Sequence, residues 1–186
     1  MRPASTTEWE VGFINRLIAE LDPRGVYLEI GGHMGGSLAT YGSTMDAGAM
    51  LISVDQPMNA EAEKSLLATG EKLTSDGFNA HVIHADSHQG TTLQQVQKIL
   101  AGRPVDVILI DGDHSEKGTR TDAVFYAHLV RKGGMVIFHD CGLCRTRIKP
   151  KYDKVFSGIN RVWLEIADGK RSILLQEWCG YGVVWM

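Results

Sequence analysis

The chain has 186 residues, of which 44% are hydrophobic and 22% are charged, and its formal net charge is −3. This length and composition predict a single globular domain over residues 1–186. The charge and the lack of a basic face argue against a nucleic-acid partner. No stretch approaches the roughly 18 apolar residues that cross a membrane, and three cysteines are few for a disulfide framework. We therefore expect a cytoplasmic protein with no membrane partner.

Short apolar runs alternate with longer amphipathic stretches along the chain. The first half predicts, in order, a helix over 7–21, a strand over 26–30, a glycine-rich turn over 31–36, a helix over 37–46, a strand over 50–54, a helix over 59–74 and a strand over 81–84. The second half predicts a helix over 91–100, a strand over 105–110, a helix over 116–131 stopped by Gly133 and Gly134, a strand over 135–138, a loop to about 154, a helix over 155–167, and a hairpin of 172–178 and 182–186.

This alternation predicts an α/β fold with helices on both faces of the sheet. The nearly continuous apolar strands favour parallel pairing in a covered sheet, whereas the closing hairpin breaks the alternation. We expect a Rossmann-like, doubly wound, mostly parallel sheet of about seven strands, with an antiparallel C-terminal hairpin.

Acidic and histidine residues stand at the ends of five consecutive predicted strands. They are Glu29, Asp55, Asp86, then Asp111 with Asp113 and His114, and finally His139 with Asp140. Open α/β sheets bind ligands outside the carboxyl ends of their strands. Helix capping is the alternative explanation. It would account for Asp86 or Ser115, but not easily for the acids and histidines after the fourth and fifth strands.

The glycine-rich turn runs from Glu29 to Ser37. Its glycines let the backbone pass close to a ligand at a helix N-terminus. A dinucleotide fingerprint starting at Gly31 would need a glycine at position 33, which is His33. The spacing therefore argues against a nicotinamide cofactor and for another adenosine cofactor. Asp55 could accept hydrogen bonds from the ribose hydroxyls of such a cofactor.

The motif Glu29-x-Gly31-x-x-x-Gly35-Gly36-Ser37 resembles motif I of class I S-adenosylmethionine (SAM)-dependent methyltransferases. Two further segments, Ile110-Asp-Gly-Asp-His-Ser115 and Phe138-His-Asp-Cys141, resemble the subgroup of cephalosporin-hydroxylase-like proteins and macrolide-sugar O-methyltransferases. The resemblance covers about residues 25–186.

This resemblance implies SAM as the cofactor and divides the chain into an N-terminal helix (1–24), a cofactor-binding core (25–140), and a substrate loop, helix and hairpin (141–186), with the loop at 141–157. Asp55 falls at the position that holds the ribose and Asp86 at the position that holds the adenine. The full set of implied cofactor-binding residues is Glu29, Gly31, Gly32, Gly35, Ser37, Asp55, Asp86 and Asp111.

The resemblance also implies a divalent metal, Mg²⁺ or Mn²⁺, held by Asp111, His139 and Asp140. The sugar methyltransferases have a carboxylate at the position of His139, and an imidazole shifts the preference from Mg²⁺ towards softer ions such as Mn²⁺, Zn²⁺ or Fe²⁺. His114 is the candidate catalytic base, Asp111 acts beside it, and Asp113 could orient it or lie outside the reacting groups.

The predicted function is methylation of a hydroxyl on a small molecule, sugar or glycan, with help from the metal. Three alternatives stay open at this point: a SAM-binding module that has lost catalysis, a metal-dependent hydrolase built on the acid and histidine cluster, and a nicotinamide oxidoreductase. Because the chain leaves little room for a cap over the acceptor, a homo-oligomer in which a second subunit completes the site is a further hypothesis.

Overall fold

Strands and helices alternate in the computed structural model, which describes residues 7–142, 153–176 and 179–186. The strands are β1 (Val26–Ile30), β2 (Met50–Asp55), β3 (Asn79–His84), β4 (Val105–Ile110), β5 (Val130–His139), β6 (Ser172–Leu175) and β7 (Tyr181–Trp185). The helices are α1 (Glu8–Ala19), α2 (Ala60–Ser75), α3 (Gly90–Leu100), α4 (Glu116–Tyr126) and α5 (Asp153–Ala167). A π-helical turn covers Leu38–Gly42 and a 3-10 turn covers Ala127–Leu129.

The seven strands form one sheet in the order β3-β2-β1-β4-β5-β7-β6. Strands β1 to β5 pair in parallel, and β7 pairs antiparallel with both β5 and β6. The predicted Rossmann-like fold, with its mostly parallel sheet and antiparallel C-terminal hairpin, is confirmed. Because β1 to β5 run the same way, their carboxyl ends meet at one edge of the sheet.

Each face of the sheet carries its own apolar core, as a doubly wound fold requires. On one face, Ile14 and Leu17 of α1 and Leu66 of α2 pack against the sheet. On the other face, Val96 of α3 and Tyr126 of α4 do the same, together with residues of α5. Burial on both faces explains why the central strands are mostly apolar.

Side chains fix where three of the helices begin. The Thr7 hydroxyl accepts a hydrogen bond from the backbone N–H of Glu10 and the Glu10 carboxylate accepts one from the N–H of Thr7, which forms a capping box for α1. Asn59 caps α2, and Ser115 caps α4. Because α4 directly follows the loop after β4, the Ser115 cap also fixes the end of that loop.

The predicted helix over 116–131 is wrong at its C-terminal end. Helix α4 stops at Tyr126, and β5 already begins at Val130, so Gly133 and Gly134 lie within the strand. Val130 pairs with Val105, but Met135 pairs with Val107, so the intervening residues bulge out of the sheet. Arg131 at this bulge places its Nε 2.5 Å from Asp106 Oδ1, a long-range contact that helical periodicity does not reveal.

Other boundaries differ less. The helix predicted over 37–46 is a single π-helical turn, and α5 begins at Asp153 rather than 155. Most of the predicted substrate loop over 141–157, and the predicted end of the first hairpin strand at 177–178, lie outside the described residues. In the described part of the chain, no helix is long and apolar enough to cross a membrane.

Candidate active site

A cleft with two adjacent cavities opens at the carboxyl ends of the parallel strands. The larger cavity has a volume of about 740 Å³ and is bordered by the ends of β1 to β5. The smaller, of about 360 Å³, lies between the glycine turn and Val11 of α1. Gly31, His33, Asp111 and His139 line both cavities, so the two form one continuous cleft. Open α/β sheets bind their ligands at this edge.

Two glycines hold the turn after β1 close against its neighbours. Gly31 has a φ angle of +95°, and a Cβ atom there would lie 2.2 Å from the carbonyl oxygen of Asp111. A Cβ atom on Gly32 would lie 2.1 Å from Ser53 Oγ on β2. Neither position can hold a larger side chain unless the backbone or its neighbour moves. At these two positions the turn therefore presents bare backbone to the cleft.

The remaining turn residues divide between the cleft and the interior. Gly35 has a φ angle of +83° and packs against Thr69 of α2, and it lines neither cavity. Ser37 lines the smaller cavity. Gly35 thus acts on the cleft only through the shape of the turn.

Glu29 lies beneath the turn and is completely buried. Its Oε1 accepts a 2.7 Å hydrogen bond from Ser53, and its Oε2 accepts one of 3.0 Å from the Tyr27 hydroxyl. Burial raises the pKa of Glu29 to about 7, against the hydrogen bonds from Ser53, Ser37 and Tyr27, which lower it. Because Glu29 lines neither cavity, its position supports the turn from below.

Asp55 and Asp86 both line the larger cavity, at the ends of β2 and β3. Asp86 also closes the turn before α3, since its Oδ1 accepts a hydrogen bond from the backbone N–H of His88 and its Oδ2 accepts one from Gln89 Nε2. These two hydrogen bonds lower the pKa of Asp86, that from Gln89 most. Gln89, not Asp86, is the N-cap of α3 and it makes no side-chain capping hydrogen bond, so helix capping is the wrong explanation for Asp86. Asp86 closes the preceding turn and lies in the wall of the cavity.

Four side chains from the ends of β4 and β5 form an acid and histidine cluster, defined as Asp111, His114, His139 and Asp140. Asp111 Oδ1 lies 2.9 Å from His139 Nδ1 and 3.1 Å from His114 Nε2. His114 Nδ1 lies 3.1 Å from Asp140 Oδ2, so both ring nitrogens of His114 face carboxylates. The structure thus brings together all of the predicted catalytic and metal-binding residues.

Mutual electrostatics favour the charged forms of Asp111, His139 and His114. Burial alone would raise the pKa of Asp111, but the positive charge of His139 and hydrogen bonds from both histidines bring it down to about 2. Burial lowers the pKa of His139, yet the charge and hydrogen bond of Asp111 raise it to about 9. The hydrogen bond to Asp111 also raises the pKa of His114, which is partly exposed.

Asp113 shapes the loop rather than the cluster. Its Oδ1 accepts a 2.8 Å hydrogen bond from the backbone N–H of Ser115, and Ser115 in turn caps α4 through Gly118. Asp111 and Asp140, not Asp113, orient the ring of His114.

The donor atoms of Asp111, His139 and Asp140 fit a divalent metal. One donor atom from each lies within 4.8 Å of the other two. Asp140 has a φ angle of +53°, in the left-handed region, and lines the larger cavity. Its Oδ1 is buried and has no hydrogen-bond partner among the described residues. Two carboxylates and one imidazole suit Mn²⁺, Fe²⁺ or Zn²⁺.

Two features of the cleft were missed by sequence reasoning. Ser87 and His88, which were not among the predicted site residues, line the larger cavity. Both directly follow Asp86 at a strand end, so the same rule that selected Asp86 could have found them. The hydroxyls of Tyr41 and Tyr181 lie 2.8 Å apart in the wall of the smaller cavity. Tyr181 begins β7, and only the antiparallel pairing with β5 brings it opposite His139.

The strand order, the glycine turn and the acids at the strand ends together define the class I methyltransferase architecture. A family model described as a methyltransferase domain matches residues 28–141. The chain therefore belongs to this methyltransferase family, and the predicted class of protein is confirmed.

One curated relative is similar in sequence, the uncharacterized protein R132 of Acanthamoeba polyphaga mimivirus. It is 28% identical over 146 residues, which cover 78% of this chain. The match spans 62% of the length of the viral protein, which is therefore the longer of the two.

Solved structures of O-methyltransferases share the fold. A Staphylococcus aureus protein assigned provisionally as a caffeoyl-CoA O-methyltransferase superposes with a TM-score of 0.73 at 15% identity, covering 97% of this chain and 84% of that one. A Bacillus cereus O-methyltransferase in complex with SAH gives 0.65 at 17% identity, covering 99% and 84%. CalS11, a TDP-rhamnose 3'-O-methyltransferase of calicheamicin biosynthesis, gives 0.70 at 13% identity, covering 95% and 77%. At these identities the likeness shows the fold.

Proposed function

We propose that the chain is a SAM-dependent O-methyltransferase that methylates a hydroxyl of a small molecule, sugar or glycan with help from a divalent metal. Membership of the methyltransferase family supports methyl transfer. The observation that carries the rest is the acid and histidine cluster, two of whose members, Asp111 and His139, line both cavities. A group that binds metal and moves protons therefore lies where the two halves of the cleft meet.

The larger cavity suits the adenosine of the methyl donor. Asp55 and Asp86 line this cavity, where Asp55 would accept hydrogen bonds from the ribose hydroxyls and Asp86 would face the adenine. Gly31 and Gly32 line the smaller cavity, which would take the amino-acid tail. The carboxylates of Asp55, Asp86 and Asp111 favour a cationic ligand. Bound there, SAM supplies a methyl group on a positively charged sulfur.

Asp111, His139 and Asp140 would hold the metal. A divalent ion supplies positive charge that lowers the pKa of an acceptor hydroxyl and fixes its position. The histidine in this donor set favours Mn²⁺ or another ion softer than Mg²⁺.

His114 is the residue best placed to take the proton from the acceptor hydroxyl. A neutral His114 can accept it only at a ring nitrogen that has turned away from Asp111 or Asp140, because both nitrogens are paired in the structure. The carboxylate that remains in contact then stabilises the imidazolium. Alignment of the hydroxyl with the methyl group contributes much of the remaining rate.

The likeness to CalS11, a TDP-rhamnose 3'-O-methyltransferase, supports a sugar-type acceptor. His114 and Asp140 line the larger cavity together with Asp55 and Asp86, and the acceptor would lie at the end of this cavity near His114 and Asp140, beside the proposed adenosine position. Completion of the acceptor site by a second copy of the chain is part of the proposal, and full activity of a monomer in light scattering would contradict it.

One observation favours a second candidate, a SAM-binding module without turnover. His139 pairs directly with Asp111 at 2.9 Å, where the sugar methyltransferases have a carboxylate, so a positive charge already neutralises the acids. Such a module would bind the cofactor without metal and would methylate no acceptor.

Transfer of labelled methyl from SAM to hydroxylated acceptors tests the proposal. The panel should contain catechols, simple phenols and nucleotide sugars, each with Mn²⁺, with Mg²⁺ and with a chelator. Label on an acceptor oxygen, dependent on metal, supports the proposed enzyme. Tight SAM binding without transfer to any acceptor supports the module instead.

A further inference from the structure

Asp122, in the middle of α4, is a buried carboxylate that the proposed reaction does not use. Its side chain has no solvent exposure. Its Oδ1 accepts a 2.7 Å hydrogen bond from the Ser87 hydroxyl and lies 3.3 Å from His88 Nε2. Burying a carboxylate costs free energy unless the group is paired, so the contacts of Asp122 with Ser87 and His88 need an explanation. Its partners belong to the loop between β3 and α3, in the wall of the larger cavity.

Tyr126 holds the same loop from one turn further along α4. Its hydroxyl donates a 2.7 Å hydrogen bond to the backbone carbonyl oxygen of Ser87. Residues four apart lie on the same face of a helix. Asp122 and Tyr126 can therefore both hydrogen-bond Ser87, the first at its side chain and the second at its backbone.

Asp122 also touches the loop that follows β4. A Cβ atom on Gly112 would lie 3.2 Å from Asp122 Oδ2, so the carboxylate packs directly behind this glycine. Gly112, Ser87 and His88 all line the larger cavity, whereas Asp122 does not. The carboxylate therefore joins two neighbouring walls of the cavity from behind.

The contact reaches Asp86 through His88. The backbone N–H of His88 donates to Asp86 Oδ1, and the His88 ring lies between the carboxylates of Asp86 and Asp122, with Nδ1 3.9 Å from the first. A shift of Ser87 and His88 would therefore change the position of Asp86, the residue proposed to face the adenine.

We infer that Asp122 is a positioning residue for the methyl donor, which fixes Ser87 and His88 so that the purine wall of the larger cavity is formed before the donor binds. The inference rests on the proposed function for the identity of the ligand. Its physical basis is preorganisation, because a wall that is already ordered loses less conformational freedom on binding.

Calorimetric titration of the full chain with S-adenosylhomocysteine (SAH) tests this inference. Asp122→Ala removes the acceptor for Ser87, and we expect the Kd for SAH to rise about tenfold, the scale of one hydrogen bond to a charged group. Ser87→Ala should raise the Kd in the same direction. The double variant should bind no more weakly than the weaker single variant, since both changes remove one interaction.

A second ligand separates positioning from a general loss of stability. An SAH analogue with a 6-oxo purine lacks the amino group that would donate a hydrogen bond to Asp86. The wild-type chain should therefore bind SAH more tightly than the analogue. Asp122→Ala should reduce this preference, because Asp86 is no longer held in place. A merely structural role would leave the ratio of the two Kd values unchanged.

Asp106→Ala is the matched control. Asp106 is also buried, but it lies at the amino end of β4, where it accepts hydrogen bonds from the backbone N–H of Val26 and from the guanidinium of Arg131. This variant should lose stability and keep the wild-type Kd. Unchanged SAH binding by Asp122→Ala, or additive effects of the two single variants, would overturn the inference. Failure of the wild-type chain to bind SAH would instead overturn the proposed function.

Discussion

His139 Nδ1 lies 2.9 Å from Asp111 Oδ1, and this pair joins the ends of the neighbouring strands β4 and β5. The two residues are far apart in sequence, and parallel pairing of their strands brings them together. Both line the two cavities of the cleft. A ligand that spans the cleft therefore meets a carboxylate and an imidazole at its midpoint, and the chemistry of the site depends on how this pair and His114 share their protons.

The rate of methyl transfer should increase with pH, with a midpoint above 6.5. The base must be neutral His114, and its hydrogen bond to Asp111 raises its pKa above the ordinary value of 6.5. Below that pKa the ring is protonated and cannot accept the acceptor's proton. Initial rates at saturating SAM across this pH range measure the midpoint, and a profile that is flat or falls with pH would contradict a histidine base.

Removal of the imidazole provides the control for this profile. His114→Gln should lower the rate by about 10²–10⁴ and remove the pH step, with little change in SAH binding. His128→Gln, at an exposed histidine outside the cleft, should keep the wild-type rate and profile.

Asp140→Asn should weaken Mn²⁺ binding at least about tenfold, because it replaces a charged oxygen ligand by a neutral one. Electron paramagnetic resonance of free Mn²⁺ in a titration measures the affinity. The same variant should bind SAH normally, since Asp140 is not proposed to hold the donor. Asp76→Asn, at an exposed acid directly after the end of α2, is the matched control, and equal Mn²⁺ affinity of the two variants would exclude a metal at Asp140.

Gly31→Ala should destabilise the chain and weaken SAH binding. Its φ angle of +95° and the 2.2 Å approach of a Cβ atom to the Asp111 carbonyl oxygen force the turn to move. Strain of this kind costs about 1–3 kcal/mol. Gly36→Ala, where a Cβ atom meets no atom within 4 Å, should unfold at the wild-type urea concentration. Equal stability of the two variants would show that the turn is not tightly packed.

Glu29 should make the free energy of unfolding depend on pH. Its pKa is about 7 in the folded chain, against an ordinary value of 4.5, so the protonated carboxyl favours the folded state. This contribution is complete below pH 4.5 and is lost as the pH rises to about 7, a change of about 3 kcal/mol. Glu29→Gln is neutral throughout, so relative to the wild-type chain it should gain stability between about pH 5 and about pH 8. Urea unfolding of both chains at the two pH values measures their free energies of unfolding. The same difference between variant and wild type at both pH values would contradict the prediction.

Most of the fold and the centre of the site follow from simple patterns in the sequence. Alternation of apolar runs and amphipathic stretches predicted the parallel sheet, and the rule that ligands bind at strand ends selected Asp55, Asp111 and Asp140. These residues are adjacent to strands that are easy to recognise, so the topology alone brings them to one edge.

The parts that could not be predicted depend on contacts between distant segments. Strand β5 begins at Val130 and contains a bulge beside the contact of Arg131 with Asp106, and no local propensity encodes that pair. Tyr181 reaches the cleft only because β7 runs antiparallel to β5. Asp122 looks like an ordinary polar residue of an amphipathic helix, and only the packing of α4 behind Ser87 reveals its role.

The most direct test of the account is calorimetric titration of SAH into the wild-type chain and Asp55→Ala, each with and without Mn²⁺. Asp76→Ala serves as the control acid. We predict micromolar binding by the wild-type and control chains and a Kd at least about tenfold higher for Asp55→Ala, because the ribose hydroxyls lose a charged acceptor. Absence of SAH binding by the wild-type chain under every condition would contradict the methyl-donor site itself.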